Sequence, residues 1–250
     1  GNHPFYKPAV TFSINKSDVV TSVSQSLKDD TYKLFNIKKD IHVIPNFIEL
    51  DKVRNESLIS CQRSIMANKD ERIITHISNF RKVKRIPDII KIFYKIQEKI
   101  PAKLMMVGDG PEKEKAERLC EELGIQDKVI FFGNSNEIDQ ILSYSDLFLL
   151  PSQTESFGLA ALEAMAWSVP VISSNSGGLP EVNFSGQSGY LSDVGNVDEM
   201  AENALKILHN NETLQTFKDN ALLVAKQFDI KNILPLYEDL YKKAIQDSLW

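Results

Sequence analysis

Two carboxylates eight residues apart flank a segment of the chain that is suited to binding an anion. Glu155 and Glu163 lie on either side of Phe157, Gly158 and Leu159, where a loop passes into a run of strong helix formers. The first amides of a helix have no acceptor within the helix, and the positive end of the helix dipole lies beside them. The amides of Phe157 to Leu159 are therefore predicted to bind phosphate.

The two carboxylates indicate a ligand with hydroxyl groups. Ser156 is the expected N-cap of the helix. Glu163 lies roughly 7.5 Å along the helix axis beyond Gly158, on an otherwise apolar face where a carboxylate needs a hydroxyl or a cation as partner. Glu155 is expected to point into the same mouth. A sugar nucleotide fits this arrangement, with one carboxylate on the ribose and the other on the donor sugar. A capped, buried helix whose Glu163 pairs with a Lys or Arg fits this segment equally well.

The fold class follows from strand and helix patterns that alternate from residue 72 onwards. This order predicts an α/β fold with a doubly wound parallel sheet, Rossmann-like, and right-handed crossovers. Ligands of such sheets bind at the carboxyl ends of the strands. The predicted strands are 72–77, 102–107, 129–132, 146–150, 170–172 and 189–191, and the predicted helices are 86–100, 112–123, 137–144, 158–166, 197–209, 212–227 and 230–245.

The first part of the chain resembles one more unit of the same kind. The patterns predict helices over 7–16 and 27–36 and strands over 18–24 and 41–44. Pro45 to Ile48 reads as a linker, and residues 51–70 are polar with little periodicity.

A basic loop follows the strand at residues 72–77. It contains Arg81, Lys82, Lys84 and Arg85. Such a cluster is commonly a solvated surface. Because this loop leaves the same sheet edge as the segment at 157–159, cations that stabilise a diphosphate leaving group are the favoured interpretation here.

Two further loops at this edge are less specific. Gly108 begins a glycine turn that lacks the third glycine of a dinucleotide fingerprint, so NAD is only weakly indicated, and a tight turn explains Gly108 as well as a ligand does. Asn134 lies in the loop after the next strand. The histidines show no spacing typical of a metal site or a catalytic triad.

Several of these motifs together resemble a known family. The run from Glu155 to Glu163 resembles the E-x7-E signature of retaining GT-B glycosyltransferases of family 4, and residues 107–112 and 176–181 resemble two other stretches of that family. The run from Ile77 to Arg85 is similar to the bacillithiol-pathway branch, which transfers N-acetylglucosamine from UDP-GlcNAc to L-malate. The resemblance implies a retaining hexosyltransferase with UDP-GlcNAc and a small acceptor, malate, as substrates.

The resemblance also implies roles for individual residues. Glu163 would bind the ribose, Glu155 the donor sugar, and Lys84 the diphosphate together with the amides at 157–159. The family has an Arg five residues before this Lys; here Asn79 stands in that place, and we interpret Arg81 as the substitute cation. Glu155, Lys84 and Arg81 are thus the expected catalytic residues.

The nucleotide-binding residues implied by the family extend along the same edge. The loop of Asn134 would read the uracil through its backbone. The full expected donor-binding set is Glu163, Phe157, Gly158, Leu159, Asn79, Gly108 and Asn134.

The family pattern divides the chain into three parts. Residues 1–44 would end an N-terminal acceptor domain, 45–229 would form the C-terminal UDP-sugar-binding domain of a GT-B fold, and 230–250 a crossover helix with an unmatched apolar face. In the family an N-terminal domain with a catalytic His precedes this point. The sequence therefore resembles a C-terminal fragment that binds the donor but is inactive alone.

Composition excludes several classes of function. The 250 residues carry a formal charge of -5 without a basic stripe, which argues against nucleic acid, and no apolar run is long enough for stable membrane insertion. Cys61 and Cys120 fit free thiols in the cytoplasm. No Asp-x-Asp motif occurs, so we expect neither a metal nor another cofactor. A homodimer is compatible with the sequence, and so are two other functions: transfer to a lipid or polysaccharide, and a non-catalytic nucleotide-sugar-binding module.

Overall fold

The computed structural model describes residues 6–55 and 63–247. They form eight strands and eleven helices, numbered in chain order. The strands are β1 (Val20–Ser22), β2 (Ile41–Val43), β3 (Arg72–Ile77), β4 (Ala102–Val107), β5 (Val129–Gly133), β6 (Leu147–Leu150), β7 (Val171–Ser174) and β8 (Gly189–Ser192). The helices are α1 (Lys7–Lys16), α2 (Gln25–Leu34), α3 (Leu50–Asn55), α4 (Arg63–Met66), α5 (Ile86–Gln97), α6 (Lys113–Glu122), α7 (Ile138–Ser143), α8 (Leu159–Ala166), α9 (Val197–Leu208), α10 (Asn211–Gln227) and α11 (Ile230–Asp247).

The larger sheet positions the candidate site. Its six strands are parallel and lie in the order β5-β4-β3-β6-β7-β8. The chain runs from β3 outward to β5 and then returns to place β6 against the other side of β3. The loops after these two neighbouring strands therefore diverge and leave a crevice, which is where ligands of doubly wound sheets bind.

Helices cover both faces of this sheet. In β6, Leu147 and Leu149 pack into the core formed with α5, α6 and α9, whereas Phe148 and Leu150 pack into the core formed with α8 and α10. Side chains of a strand alternate between faces, and all four of these residues are buried. A continuous apolar run is what a parallel strand buried on both sides requires.

The predicted fold class is confirmed, and each predicted element has a counterpart. The strands at 72–77 and 102–107 have the predicted bounds. The helix predicted over 27–36 begins two residues earlier, at Gln25, because Ser24 is its N-cap and accepts a hydrogen bond from the amide of Leu27 at 3.0 Å.

The sequence pattern missed the short helices α3 and α4. The position of α4 depends on distant contacts: Arg63 donates to the carbonyls of Glu71 and Tyr144 and to the buried carboxylate of Asp146. Such long-range contacts leave no periodicity in the local sequence. Residues 56–62, including Cys61, lie outside the described part of the chain, and Cys120 is buried as a free thiol.

The smaller sheet and the linker lie beside α11. β1 and β2 are parallel, and Ile48 of the predicted linker forms a bridge with Asp229 just before α11. The expected apolar surface of α11 is exposed at Leu234, Leu236, Tyr241 and Ile245. The proposed domain boundaries at 44/45 and 229/230 stay predictions.

No helix within the described ranges is both long and apolar enough to cross a membrane.

Candidate functional site

The carboxyl ends of the central strands open into a groove made of three adjoining cavities. The Glu155 cavity has a volume of about 250 Å³. The Asn134 cavity, about 200 Å³, shares Asn79 with it. The Glu163 cavity, about 530 Å³, shares Ser135 with the Asn134 cavity. The groove is large enough to hold an extended ligand along the sheet edge.

The two signature carboxylates lie in different cavities, which corrects the expectation that they face one mouth. Glu155 lies in the loop before α8, where Lys84 holds it on the side of β3. Glu163 projects from the second turn of α8 toward α7, near Asp139. The carboxylates therefore face separate parts of any ligand that fills the groove.

The N-terminus of α8 has backbone amides that are unpartnered among the described residues, and its N-cap differs from the expected one. Gly158, not Ser156, is the N-cap residue, at φ 103°, a left-handed conformation that a serine would resist. A Cβ at Gly158 would also lie 2.7 Å from the side chain of Leu179. Within the described chain, the amides of residues 157–160 donate to no protein acceptor. They remain available to a ligand, as the sequence predicted for 157–159.

The side chains around these amides differ in exposure. Phe157 is buried and packs edge-on against Phe228, with ring centroids 5.7 Å apart, so only its backbone faces the site. Leu159 is exposed and lines the Glu163 cavity.

Lys84 and Glu155 form an ion pair inside the Glu155 cavity. Nζ of Lys84 lies 2.5 Å from Oε1 of Glu155, and the hydroxyl of Ser152 donates to the same oxygen at 2.8 Å. Both charged side chains are largely buried. The pair places a cation and a carboxylate in the cavity that is also lined by Ser156, the residue just before the free amides.

The rest of the basic loop divides into two groups. Arg81 and Asn79 line the Glu155 cavity, as predicted. Arg81 is exposed and makes no ion pair within the described residues. Arg85 instead pairs with Asp88, with Nε 2.5 Å from Oδ2, and belongs to the start of α5. Lys84 and Arg81 are thus the cations that line the Glu155 cavity, whereas Lys52, paired with Glu49, lines the Glu163 cavity.

Glu163 has no cationic partner among the described residues, so the alternative of a buried helix ion pair is wrong. Burial, and then the nearby charge of Asp139, raise the pKa of Glu163 above its ordinary value. A half-buried carboxylate that faces a cavity is available to accept hydrogen bonds from ligand hydroxyls. Phe47 and Leu159 provide the apolar part of the same cavity.

The middle cavity contains the two remaining predicted residues. Asn134 is exposed and lines it. Gly108 also lines it, at φ 124°, and a Cβ there would lie 1.8 Å from the carbonyl oxygen of Ser78. Close packing on the neighbouring loop therefore explains this glycine without a ligand.

Close backbone packing explains why residues 177 and 178 are glycines. A Cβ at Gly177 would lie 2.0 Å from the carbonyl oxygen of Glu155, and one at Gly178 would lie 2.5 Å from that of Ser156. The amide of Gly178 donates to the carbonyl of Glu155 at 2.8 Å. This loop therefore supports the backbone of Glu155.

Sequence reasoning missed His76, which it treated as incidental. His76 is buried in β3, with Nδ1 2.8 Å from the carbonyl oxygen of Leu149 and Nε2 2.7 Å from Oγ of Ser78. A carbonyl only accepts, so Nδ1 carries the proton and Nε2 accepts from Ser78. Burial lowers the pKa of His76 to about 4. The neutral ring ties β3 to β6 behind the groove.

Three other residues of the site were also missed. Phe47 stands where the resembled family's linker usually has glycine, but that departure indicated only a change in the turn and not a part of the Glu163 cavity. Asp139 accepts from Nε1 of Trp167 at 2.8 Å beside Glu163, and no sequence pattern indicated it. Ser152 was missed because its hydrogen bond to the carboxylate of Glu155 depends on how the loop turns, which the sequence does not indicate.

Comparison with known proteins assigns the chain to a family. The family model described as "Glycosyl transferases group 1" matches residues 61–223. The chain belongs to this glycosyltransferase family. The sequence-based assignment to GT-B glycosyltransferases is thereby supported, together with the α/β fold that it implied.

Similar sequences point to one branch of the family. This glycosyltransferase chain is 39% identical over 249 residues to an N-acetyl-alpha-D-glucosaminyl L-malate synthase of Bacillus anthracis, covering 99% of this chain and 65% of the relative. It is 32% identical over 242 residues to an uncharacterized glycosyltransferase of Methanocaldococcus jannaschii, covering 94% and 62%. The chain thus spans somewhat less than two thirds of the length of these relatives.

Solved structures share the fold of this glycosyltransferase chain. Anabaena HepE in complex with UDP and glucose superposes with a TM-score of 0.82 at 21% identity, over 95% of this chain and 67% of that one. S. aureus TarM, in complex with UDP among other ligands, superposes with a TM-score of 0.80 at 22% identity, over 94% and 46%. At these identities the likeness establishes the fold alone.

Proposed function

We propose that the protein transfers N-acetylglucosamine from UDP-GlcNAc to L-malate with retention of configuration. The observation that carries this proposal is the set of unpartnered amides at the start of α8, with the Lys84–Glu155 pair on one side and the unpaired Glu163 on the other. The 39% identity to an N-acetyl-alpha-D-glucosaminyl L-malate synthase supports the choice of sugar and acceptor.

UDP-GlcNAc is assigned along the groove by matching charge and polarity. The diphosphate binds the amides at 157–159 and Lys84, because these are the donors and the cation that lie together. The ribose binds Glu163, whose carboxylate accepts from two hydroxyls. The uracil occupies the cavity of Asn134 and Gly108, and the donor sugar lies in the Glu155 cavity.

In the chemical step, negative charge develops on the departing diphosphate, next to the cationic side chains of the Glu155 cavity. As the bond between C1 of the sugar and the diphosphate oxygen breaks, the electron pair leaves with UDP. Lys84 and Arg81 stabilise that charge, and the hydroxyl of malate attacks C1 from the same face. The hydroxyl proton passes to the departing phosphate oxygen. Preorganised cations and amides of this kind stabilise the transition state more than the ground state.

We propose that this step needs no metal or other cofactor. Lys84 and the helix amides are arranged to offset the diphosphate charge that a divalent ion offsets in other transferases. The chain spans less than two thirds of its relatives' length, so the donor site lies on this chain while malate as acceptor is proposed for the full-length protein from the likeness to that relative. A cytoplasmic location belongs to the same proposal.

Calorimetry and product analysis test the proposal. We expect UDP and UDP-GlcNAc to bind and NAD to give no heat, and we expect Glu163→Gln to weaken UDP. Transfer by the full-length protein is then assayed with malate and with lipid or polysaccharide acceptors, and the anomeric configuration of the product is read by NMR. Binding of NAD without UDP would refute a sugar-nucleotide site. Transfer to a lipid or polysaccharide but not to malate would refute the acceptor, and an inverted product would refute retention.

A further inference from the structure

Glu181 joins the donor side of the groove to the N-terminus of α2. Its two carboxylate oxygens accept from the amides of Gln25 at 2.8 Å and Ser26 at 2.9 Å, across more than 150 residues of chain. These are the first amides of α2 and have no acceptor within the helix. A negative charge at this position also interacts favourably with the helix dipole. Glu181 thus caps a helix from outside the segment that contains it.

A second hydrogen bond crosses at the same place. Oγ of Ser24, the N-cap of α2, donates to the carbonyl of Ser156 at 2.6 Å while accepting from the amide of Leu27. Ser24 is 1% exposed. The start of α2 is therefore fixed at two points. One is Ser156, which follows Glu155 directly, and the other is Glu181, whose loop contacts the backbone of Glu155.

The loop that carries Glu181 is itself attached to the site. Gly178 donates to the carbonyl of Glu155, and the hydroxyl of Ser176 donates to the carbonyl of Gln153 at 2.8 Å. The close approach of Gly177 leaves no space for this loop to slide over the segment at 153–156. A shift of Glu155 therefore moves Glu181, and with it α2.

The cavity that this contact closes contains the reacting groups. Ser26, Leu27 and Asp30 of α2 line the Glu155 cavity together with Arg81, Lys84 and Glu155. No residue of α2 lines the Asn134 or the Glu163 cavity. Movement of α2 would alter the part of the groove assigned to the donor sugar and leave the rest unchanged.

We propose that Glu181 is a positioning residue that fixes α2 over the Glu155 cavity, so that sugar transfer depends on it while binding of UDP does not. This inference rests on the proposed function, because that function assigns the donor sugar to the Glu155 cavity. Glu181 touches neither the donor nor the acceptor. It acts by fixing the distance between α2 and the ion pair.

The test compares Glu181→Gln with a matched control. The amide of Gln keeps one acceptor oxygen but loses the charge and the second hydrogen bond. Glu212→Gln is the control, because it also removes a carboxylate from the first turn of a helix, α10, which lines none of the three cavities. Ser24→Ala removes the other crossing hydrogen bond and serves as a second variant, and thermal unfolding verifies that each variant folds.

Hydrogen exchange and steady-state kinetics give separate readouts. In Glu181→Gln we expect the amides of Gln25 and Ser26 to exchange about tenfold faster or more, as the loss of a hydrogen bond to a charged group implies. We expect the kcat of the full-length protein to fall about tenfold with the Kd of UDP unchanged within twofold, because α2 lines the cavity assigned to the donor sugar and neither of the other two. Ser24→Ala should act in the same direction, and Glu212→Gln should change none of these quantities.

The outcomes separate this inference from the proposed function. Unchanged exchange at Gln25 and Ser26, unchanged kcat, or a parallel loss of UDP affinity would overturn the role of Glu181 while leaving the donor site in place. Failure of the unmodified protein to bind UDP would instead overturn the proposed function, and this inference with it.

Discussion

Lys84 and Glu155 neutralise each other inside the Glu155 cavity, with Nζ 2.5 Å from Oε1. Lys84 comes from the loop after β3 and Glu155 from the loop after β6, so the crossover between these strands brings them together. When a diphosphate binds the nearby amides, the same ammonium group has two anionic partners. The pair thus holds the cation in position before the donor arrives, which limits the reorganisation needed during transfer.

Replacing Lys84 by Ala is expected to weaken binding of UDP far more than binding of uridine. Uridine lacks the diphosphate, so it does not use the ammonium group. Loss of a hydrogen bond to a charged group corresponds to about 1.5–3 kcal/mol, or roughly a tenfold to hundredfold rise in the Kd of UDP. Calorimetry with both ligands measures the difference.

Lys82 supplies the control for this variant. It lies in the same short 3-10 turn as Lys84 but is exposed and does not line the Glu155 cavity. Lys82→Ala should leave UDP affinity within a factor of two. Equal losses of UDP and uridine affinity in Lys84→Ala would mean that the variant disturbs the fold of the loop, and would contradict the role assigned to the charge.

Replacing Glu163 by Gln is expected to weaken binding of UDP and to reduce discrimination for the ribose hydroxyls. In the proposed site the carboxylate accepts from two hydroxyls, whereas the amide of Gln has one acceptor oxygen. We expect about a tenfold rise in the Kd of UDP. The unmodified protein should bind 2′,3′-dideoxy-UDP more weakly than UDP, and this difference should be smaller in Glu163→Gln. An undiminished preference for UDP in the variant would place the ribose elsewhere.

The raised pKa of Glu163 predicts two opposite dependences on pH. Uridine, which has no phosphate to titrate, should bind less well as pH falls through that raised pKa, because protonation removes an acceptor. The folded state binds this proton more tightly than the unfolded state does, so the stability contributed by Glu163 is present at low pH and lost as pH rises through the folded pKa. Glu163→Gln should therefore unfold at a higher temperature than the parent at pH 7. An unchanged or lower unfolding temperature would contradict the burial of an ionised carboxylate.

Replacing Gly177 by Ala is expected to displace Glu155. A Cβ there would lie 2.0 Å from the carbonyl oxygen of Glu155, and φ is 60°. Gly186 is a matched control, since its φ is 79° but a Cβ would have no atom within 4 Å. Gly186→Ala should cost about 1–2 kcal/mol for the left-handed backbone alone, and Gly177→Ala about 2–5 kcal/mol because overpacking is added.

Denaturant unfolding and ligand binding distinguish the two glycine variants. Because Glu155 is assigned to the donor sugar, Gly177→Ala should weaken UDP-GlcNAc more than UDP, whereas Gly186→Ala should affect neither. Equal stability losses in the two variants would show that the loop yields to the added methyl group.

The strands of the large sheet were predictable because their sequences contain the signal locally. Arg72–Ile77 and Ala102–Val107 consist mainly of apolar or β-branched residues between polar turns, and their bounds match the structure. The order of strands along the sheet is different, since it depends on which neighbour each strand meets. That β6 pairs with β3 is seen only in the structure, and this pairing is what brings Lys84 close to Glu155.

The sequence predicted which residues belong to the site better than it predicted their arrangement in space. The sequence indicated the anion-binding amides and the basic loop, since helix starts and charge runs are local features. It misplaced the N-cap at Ser156 and put Glu155 and Glu163 in one mouth, because the left-handed turn at Gly158 and the pull of Lys84 on Glu155 are tertiary effects. His76 and Asp139 were missed because their importance comes from partners distant in sequence.

The buried ring of His76 predicts how stability depends on acid. Its pKa is about 4 in the folded protein, against an ordinary value of 6.5. The unfolded chain therefore binds the proton first as pH falls, and the stability that is present above pH 6.5 is lost progressively toward pH 4, by about 3 kcal/mol. Denaturant unfolding at several pH values measures this loss.

Two substitutions isolate the contribution of His76 from that of the other titrating groups. His76→Gln cannot take up the proton, so the free energy of unfolding should fall less steeply between pH 6.5 and 4 than in the parent, even though the variant is less stable at pH 7. His209→Gln, at an exposed position after α9, should retain the slope of the parent. If His76→Gln retained that slope as well, the imidazole of His76 would have to accept a proton readily in the folded protein. The assignment of a neutral ring bonded to Leu149 and Ser78 would then be wrong. A flatter slope in this variant alone would mean that the contact between β3 and β6 behind the groove depends on an uncharged imidazole.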